Sequence, residues 1–118
     1  VDDEADARDF ITTVLQQCGA QVQAVASAAA ALLAIQQWKP DVLVSDIGMP
    51  ESDGYSLIRE LRRREADQGS KIPAAALTAY ARTEDRTRAL KAGFQIHLPK
   101  PIEPAELVTV VASLAGRT

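Results

Sequence analysis

Cysteine, aromatics and excess positive charge are all scarce in this sequence. Cys18 is the one cysteine, so no internal disulfide framework is available, in keeping with a reducing compartment. Thirteen Lys and Arg stand against 16 Asp and Glu, for a net charge of −3, which argues against direct nucleic-acid binding. With one histidine and one cysteine there is no thiol–imidazole cluster of the kind that holds zinc. No segment approaches the ~20 apolar residues of a membrane span, and the opening Val1-Asp2-Asp3-Glu4 carries no signal-peptide pattern. The expected location is therefore cytoplasmic, whether or not a parent protein is membrane-anchored. One tryptophan, two tyrosines and two phenylalanines cannot fill a core alone. The 21 alanines imply close-packed small residues instead. At 118 residues and 47% hydrophobic content the chain is expected to form one domain, residues 1–118, needing no metal or disulfide staple.

Two apolar periods alternate along the chain. Ala7, Phe10, Ile11, Val14, Leu15 and Cys18 recur at helical spacing, and Gly19 supplies a stop. Val22, Ala24 and Ala26 alternate with Gln21, Gln23 and Val25, which predicts a strand. Ser27 caps a second helix with the stripe Ala28, Ala31, Leu32 and Ile35, ending before Pro40. Val42 to Val44 is a short apolar run suited to a strand covered on both faces. A loop from Ile47 to Gly54 follows, then a helix marked by Leu57, Ile58 and Leu61. Ala66 to Lys71 reads as a linker, Pro73 to Leu77 as a strand, Thr83 to Ala92 as a polar helix stopped by Gly93, and Gln95 to Leu98 as a last strand. Pro104 opens a final helix with the stripe Leu107, Val110, Val111 and Leu114. Such alternation predicts an α/β fold of parallel strands joined by crossover helices.

Sheets of that kind bind ligands outside the carboxyl ends of their strands. Asp2-Asp3, Asp46, Thr78 and Lys100 all fall at those ends. Each alone is a weak signal: an Asp or Thr after a strand is commonly a cap, and a lysine beside a proline is commonly a solvated loop charge. Their recurrence on one edge is the stronger observation. Three adjacent carboxylates repel and call for a cation, and an all-oxygen donor set points to Mg²⁺ or a similar ion. Thr78 and Lys100 are suited to hold phosphoryl oxygens, and a carboxylate can act as nucleophile to form an aspartyl phosphate.

Asp2-Asp3, Asp46-Ile-Gly-Met-Pro with Asp53-Gly54, Leu77-Thr78-Ala79, and Ala92-Gly93-Phe94 running to Lys100-Pro101 together resemble response-regulator receiver domains. The likeness covers nearly the whole chain, from Val1 to about Gly116. It implies a flavodoxin-like, doubly wound parallel five-stranded sheet of order 2-1-3-4-5, whose first strand is largely missing ahead of Asp2. It also implies Asp46 as phosphoacceptor, with Asp3, Asp46 and the backbone carbonyl of Gly48 as Mg²⁺ ligands. Asp2 would bind more loosely or through water. Thr78 would be the switch hydroxyl, Lys100 its cationic partner, and the Lys100–Pro101 bond cis. A sensor histidine kinase or phosphotransfer protein would donate the phosphoryl group. The output partner would meet the face formed by the fourth helix, fifth strand and fifth helix.

One position departs from the family. Where an aromatic residue commonly stands three places before the lysine, this chain has His97. Imidazole is planar and can swap rotamers as the aromatic does, but a half-exposed strand histidine reads equally well. Gly48 and Tyr80, two places beyond Asp46 and Thr78, lie where side chains could tune water access.

Elsewhere, Cys18 is expected as a small core residue and Trp38 as packing at the end of the second helix. Arg62-Arg63-Arg64, beside Glu60, Glu65 and Asp67, is expected as a solvated face. Arg82, Glu84, Asp85, Arg86, Arg88 and Lys91 make the fourth helix the leading partner surface. The resulting reading is a phosphorylation-switched signalling domain of a two-component system or phosphorelay, not an enzyme acting on other molecules, though with its own autophosphatase chemistry. The run from Gly93 to Pro101 resembles receivers attached to hybrid sensor kinases. Two alternatives compete. A dehalogenase-type phosphatase would want a second aspartate where Gly48 stands. A phosphorylation-independent interaction module would not need the acids, Thr78 and Lys100 together.

Overall fold

A computed structural model describes residues 1–49, 53–69, 71–79 and 83–116. Helices α1 (Ala5–Gln17), α2 (Ala28–Trp38), α3 (Gly54–Ala66), α4 (Thr83–Ala92) and α5 (Pro104–Leu114) alternate with strands β1 (Leu43–Asp46), β2 (Ala74–Thr78) and β3 (Ile96–Pro99). The strands form a parallel sheet in the order β1-β2-β3, with Asp46 opposite Leu77 and Thr78 opposite Pro99. Tyr80 and Arg82 lie outside the described residues.

Local chemistry sets the helix boundaries. Ser27 accepts from the Ala30 N–H at 3.1 Å, and Asp53 accepts from Ser56 N–H at 2.9 Å. Glu103 does the same for Glu106 N–H at 2.9 Å, with Pro104 in the first turn of α5. Lys39, left-handed at φ 54°, closes α2 directly before Pro40.

The alternation of side chains along each strand divides the core into two layers. Leu77, Leu98 and Leu107 pack with Leu15 beneath α1 and α5. Ala74 and Ala76 face Ile58, Leu61, Ala89 and Phe94 beneath α3 and α4. Ala74, Ala75 and Ala76 are all fully buried, so the alanine-rich centre of the sheet lets backbone layers approach closely.

The three strands are the expected third, fourth and fifth, each starting one residue later than expected and ending one or, for β1, two residues later. Val22–Ala26 is not a strand, contrary to the alternation. A ladder needs a partner, and what lies between this segment and β1 is Val1 and Asp2. Val1 bridges to β1 through its amino group on Val44 O at 2.6 Å and its carbonyl, which accepts from Asp46 N–H at 2.8 Å. Asp2 N–H donates to Val25 O at 3.1 Å, a single rung. A cavity of about 730 Å³ opens beside this point, lined by Leu15, Val22, Val25, Ile35 and Val44.

Three side chains depart from their expected places. Cys18 is exposed, because α1 ends at Gln17 and Cys18, as its C-cap, no longer follows the helical stripe. Trp38 is 41% exposed and only partly covered. Arg62 is not on a solvated face: it donates to Gly93 O at 3.0 Å, Ile72 O at 2.7 Å, Glu65 Oε1 at 2.6 Å and Gln95 Oε1 at 3.2 Å. Its place four residues after Ile58 puts it on the inner side of α3. Arg63 and Arg64 do face solvent, both bound to Glu60.

Candidate functional site

Asp46 is the last residue of β1 and Thr78 the last of β2, so the sheet register brings both to one edge. Lys100 follows β3 and ties itself to that edge by donating its backbone N–H to Thr78 O at 2.7 Å. The Lys100–Pro101 bond is cis, as the resemblance implies. Lys100 Nζ lies 3.1 Å from Asp46 Oδ1 and 3.4 Å from Asp2 Oδ2.

Asp2 and Asp46 are buried at 1% and 5% exposure, whereas Asp3 is open to solvent. Each of the three offers a carboxylate oxygen within 4.8 Å of the others. Buried carboxylates this close repel strongly. Lys100 answers part of that charge. Burial is the largest influence on its ammonium and lowers its pKa, but the hydrogen bond and charge of Asp46, with those of Asp2, outweigh it and hold the value above the ordinary lysine range. Among the described residues one ammonium touches the carboxylates of this acid trio, which leaves a site with negative charge and hard oxygen donors, two of them buried and one accessible. That donor set fits Mg²⁺.

The backbone after β1 is folded back against Asp46. Ile47 N–H donates to Leu77 O at 3.1 Å, and Gly54 N–H returns to Ile47 O at 3.0 Å. A Cβ on Gly54 would collide with the backbone oxygen of Asp46, so glycine is what allows α3 to start this close. Gly48 is exposed, with nothing within 4 Å of where its Cβ would be. Thr78 is buried at the same edge.

His97 is not part of this cluster. It sits half-buried in β3, opposite Ala76 and on the same face of the sheet as Thr78. Its Nε2 is buried without a hydrogen-bond partner among the described residues. Sequence reasoning missed Arg8, whose Nη1 donates to Asp2 O at 2.8 Å. The signal was available: Arg8 stands six residues past Asp2, one turn into α1.

The family model for the response regulator receiver domain matches residues 1–112. An uncharacterized 14.6 kDa protein from the sodA1 3′ region of Leptolyngbya boryana is 47% identical over 111 residues, covering 94% of this chain and 83% of that protein. Hybrid signal transduction histidine kinase D of Dictyostelium discoideum is 37% identical over 120 residues, 97% of this chain but 8% of the kinase. Among solved structures, the receiver domain of the Francisella response regulator 1452 superposes with a TM-score of 0.89 at 33% identity, over 98% of this chain and 93% of the other. The receiver domain of sensor histidine kinase PA1611 from Pseudomonas aeruginosa PAO1, with a magnesium ion coordinated in its active-site cleft, gives 0.86 at 33% identity over 98% and 93%.

Proposed function

The chain belongs to the response regulator receiver domain family, and on that premise we propose that residues 1–118 form one receiver domain in which Asp46 accepts the phosphoryl group. The observation that carries this reading is the Asp46 carboxylate at the end of β1, 3.1 Å from Lys100 and within 4.8 Å of the oxygens of Asp2 and Asp3.

A carboxylate oxygen of Asp46 attacks the phosphorus of a phosphohistidine presented by a sensor kinase or phosphotransfer protein. The P–O bond forms as the P–N bond breaks, and the imidazole leaves. Asp3, Asp46 and the Gly48 carbonyl would hold Mg²⁺, with Asp2 acting through water. When bound, the ion supplies positive charge against the transferring oxygens. Lys100 Nζ stabilises the same charge from the other side, and burial of Asp2 and Asp46 strengthens that interaction. Thr78, at the adjacent strand end, engages the phosphoryl group in the product. Water attack on the acyl phosphate resets the domain, which is its own autophosphatase chemistry.

The output surface is the face made by α4, β3 and α5. Leu90 on α4 is 42% exposed, whereas Arg88 turns toward α3, over the Tyr55 ring at 4.1 Å, and Glu84 and Lys91 stand with it beside Arg59. His97 in β3 lies between Thr78 and that face, which supports a switching role for its imidazole. The shift is limited to the difference in phosphoryl interaction energy between the two states. Among the described residues no helix is long and apolar enough to cross a membrane, in line with work on the cytoplasmic side. The parent context is best read as a hybrid kinase or a small regulator, given the relatives matched.

Titration with beryllofluoride and Mg²⁺, followed by amide NMR, tests the reading. Shifts are expected around Asp46, Thr78 and His97 and are lost in Asp46→Asn. An unchanged response in that variant contradicts it, and steady turnover of small phosphate esters would favour the phosphatase alternative.

A further inference from the structure

Asp2 is held at every polar atom. Its N–H donates to Val25 O, its Oδ1 accepts from Glu4 N–H at 2.9 Å, and its Oδ2 faces Lys100. The remaining atom, the backbone oxygen, accepts from the guanidinium of Arg8 at 2.8 Å. That oxygen belongs to the peptide plane joining Asp2 to Asp3. Rotating the plane swings the Asp3 backbone and carries the exposed Asp3 side chain with it. Asp2 is buried and fixed, so the Asp2–Asp3 peptide is the point at which the geometry of the acid trio can still vary.

We infer that Arg8 is a positioning residue for the divalent cation: by pinning the Asp2–Asp3 peptide plane, it sets where the Asp3 carboxylate stands relative to Asp46. The inference rests on the receiver reading of the acid cluster. It has a property that makes it sharp. On charge alone, a guanidinium beside three carboxylates opposes cation binding, so removing it would tighten Mg²⁺ binding. As a positioning residue its removal weakens binding instead, as the loss of groups that orient metal ligands generally does. Position and charge therefore predict opposite signs.

The test is Mg²⁺ titration of the 118-residue protein by calorimetry and by the amide shifts of Asp2, Asp3 and Asp46, beside a thermal melt of each variant without Mg²⁺. Arg8→Met is expected to weaken Mg²⁺ binding about 10-fold or more, with its amide changes centred on Asp3 and its melting temperature little changed. Arg8→Gln, offered in case the first variant does not fold, is expected to show a similar loss. Arg8→Lys keeps a donor able to reach the carbonyl and is expected to stay within about 3-fold of the parent. Unchanged or tighter binding in Arg8→Met and Arg8→Gln overturns the positioning role while leaving the receiver reading intact. Failure of the parent protein itself to bind Mg²⁺ overturns the metal site and the inference with it.

Discussion

Arg62 and Lys100 show how much one side chain decides in this molecule. Arg62 satisfies two loop carbonyls and Glu65, and the pair is 16% and 8% exposed. Arg62→Met leaves Glu65 with the Ile72 N–H on Oε2 but no cation on Oε1, and a loss of roughly 3 kcal/mol is expected by urea unfolding, the scale for breaking a largely buried pair. Arg63→Ala, on the exposed face of the same helix, is expected to leave the urea midpoint essentially unchanged. For Lys100 the sign follows from its raised pKa. A lysine pKa raised by folding stabilises the fold fully below the unfolded value. That contribution is lost as pH rises through the higher folded value. The stability gap between the parent and Lys100→Met should therefore be constant near neutrality and shrink above pH ~10.5. A gap that widens there would contradict the Asp46–Lys100–Asp2 arrangement. At this scale the sequence was an uneven guide. Asp2, Asp3, Asp46, Thr78 and Lys100 were legible because strand ends in a parallel sheet share one edge. Arg62 was misread because charge composition carries no direction, although its spacing from Ile58 did. Cys18 was misplaced because a helical stripe says nothing of where the helix ends, and α1 stops at Gln17.

The elements place these residues through their junctions. The turn from β1 into α3 works because Gly54 lets the helix start against the Asp46 carbonyl. Gly54→Ala would force the loop that carries Asp46 and Gly48 to move, so a loss of roughly 1–3 kcal/mol is expected, as for overpacking. Phosphorylation should slow more than that loss alone explains, whereas Ser27→Ala, at the α2 cap away from the site, should cost about 1 kcal/mol and leave phosphorylation unchanged. Paired denaturation and phosphorylation assays check both. Helices and strands were legible from their periods to within a residue or two. The segment at 22–26 was not, because alternation reports a surface suited to pairing and cannot report whether a partner strand is beside it.

Across the whole molecule, two helical layers on an alanine-lined sheet support an edge that carries more negative charge than it can balance. Asp2 and Asp46 share one lysine, and Asp3 stands beside them. A cation binding the folded form alone stabilises it by RT ln(1 + [Mg²⁺]/Kd), about 2.7 kcal/mol at 100 times the dissociation constant. Thermal melts with and without Mg²⁺ should show that gain in the parent and a smaller one in Asp46→Asn. Without Mg²⁺, Asp46→Asn should match or exceed the parent in stability, since it removes a buried charge that faces two others. Phosphorylation of Asp46 can be read out chemically, by treating the protein with a small acyl phosphate and Mg²⁺, reducing with borohydride and mapping the peptides by mass. Homoserine is expected at position 46, absent when Mg²⁺ is chelated or when the variant is Asp46→Asn. Reduction at another acid, or undiminished labelling in Asp46→Asn, would contradict it.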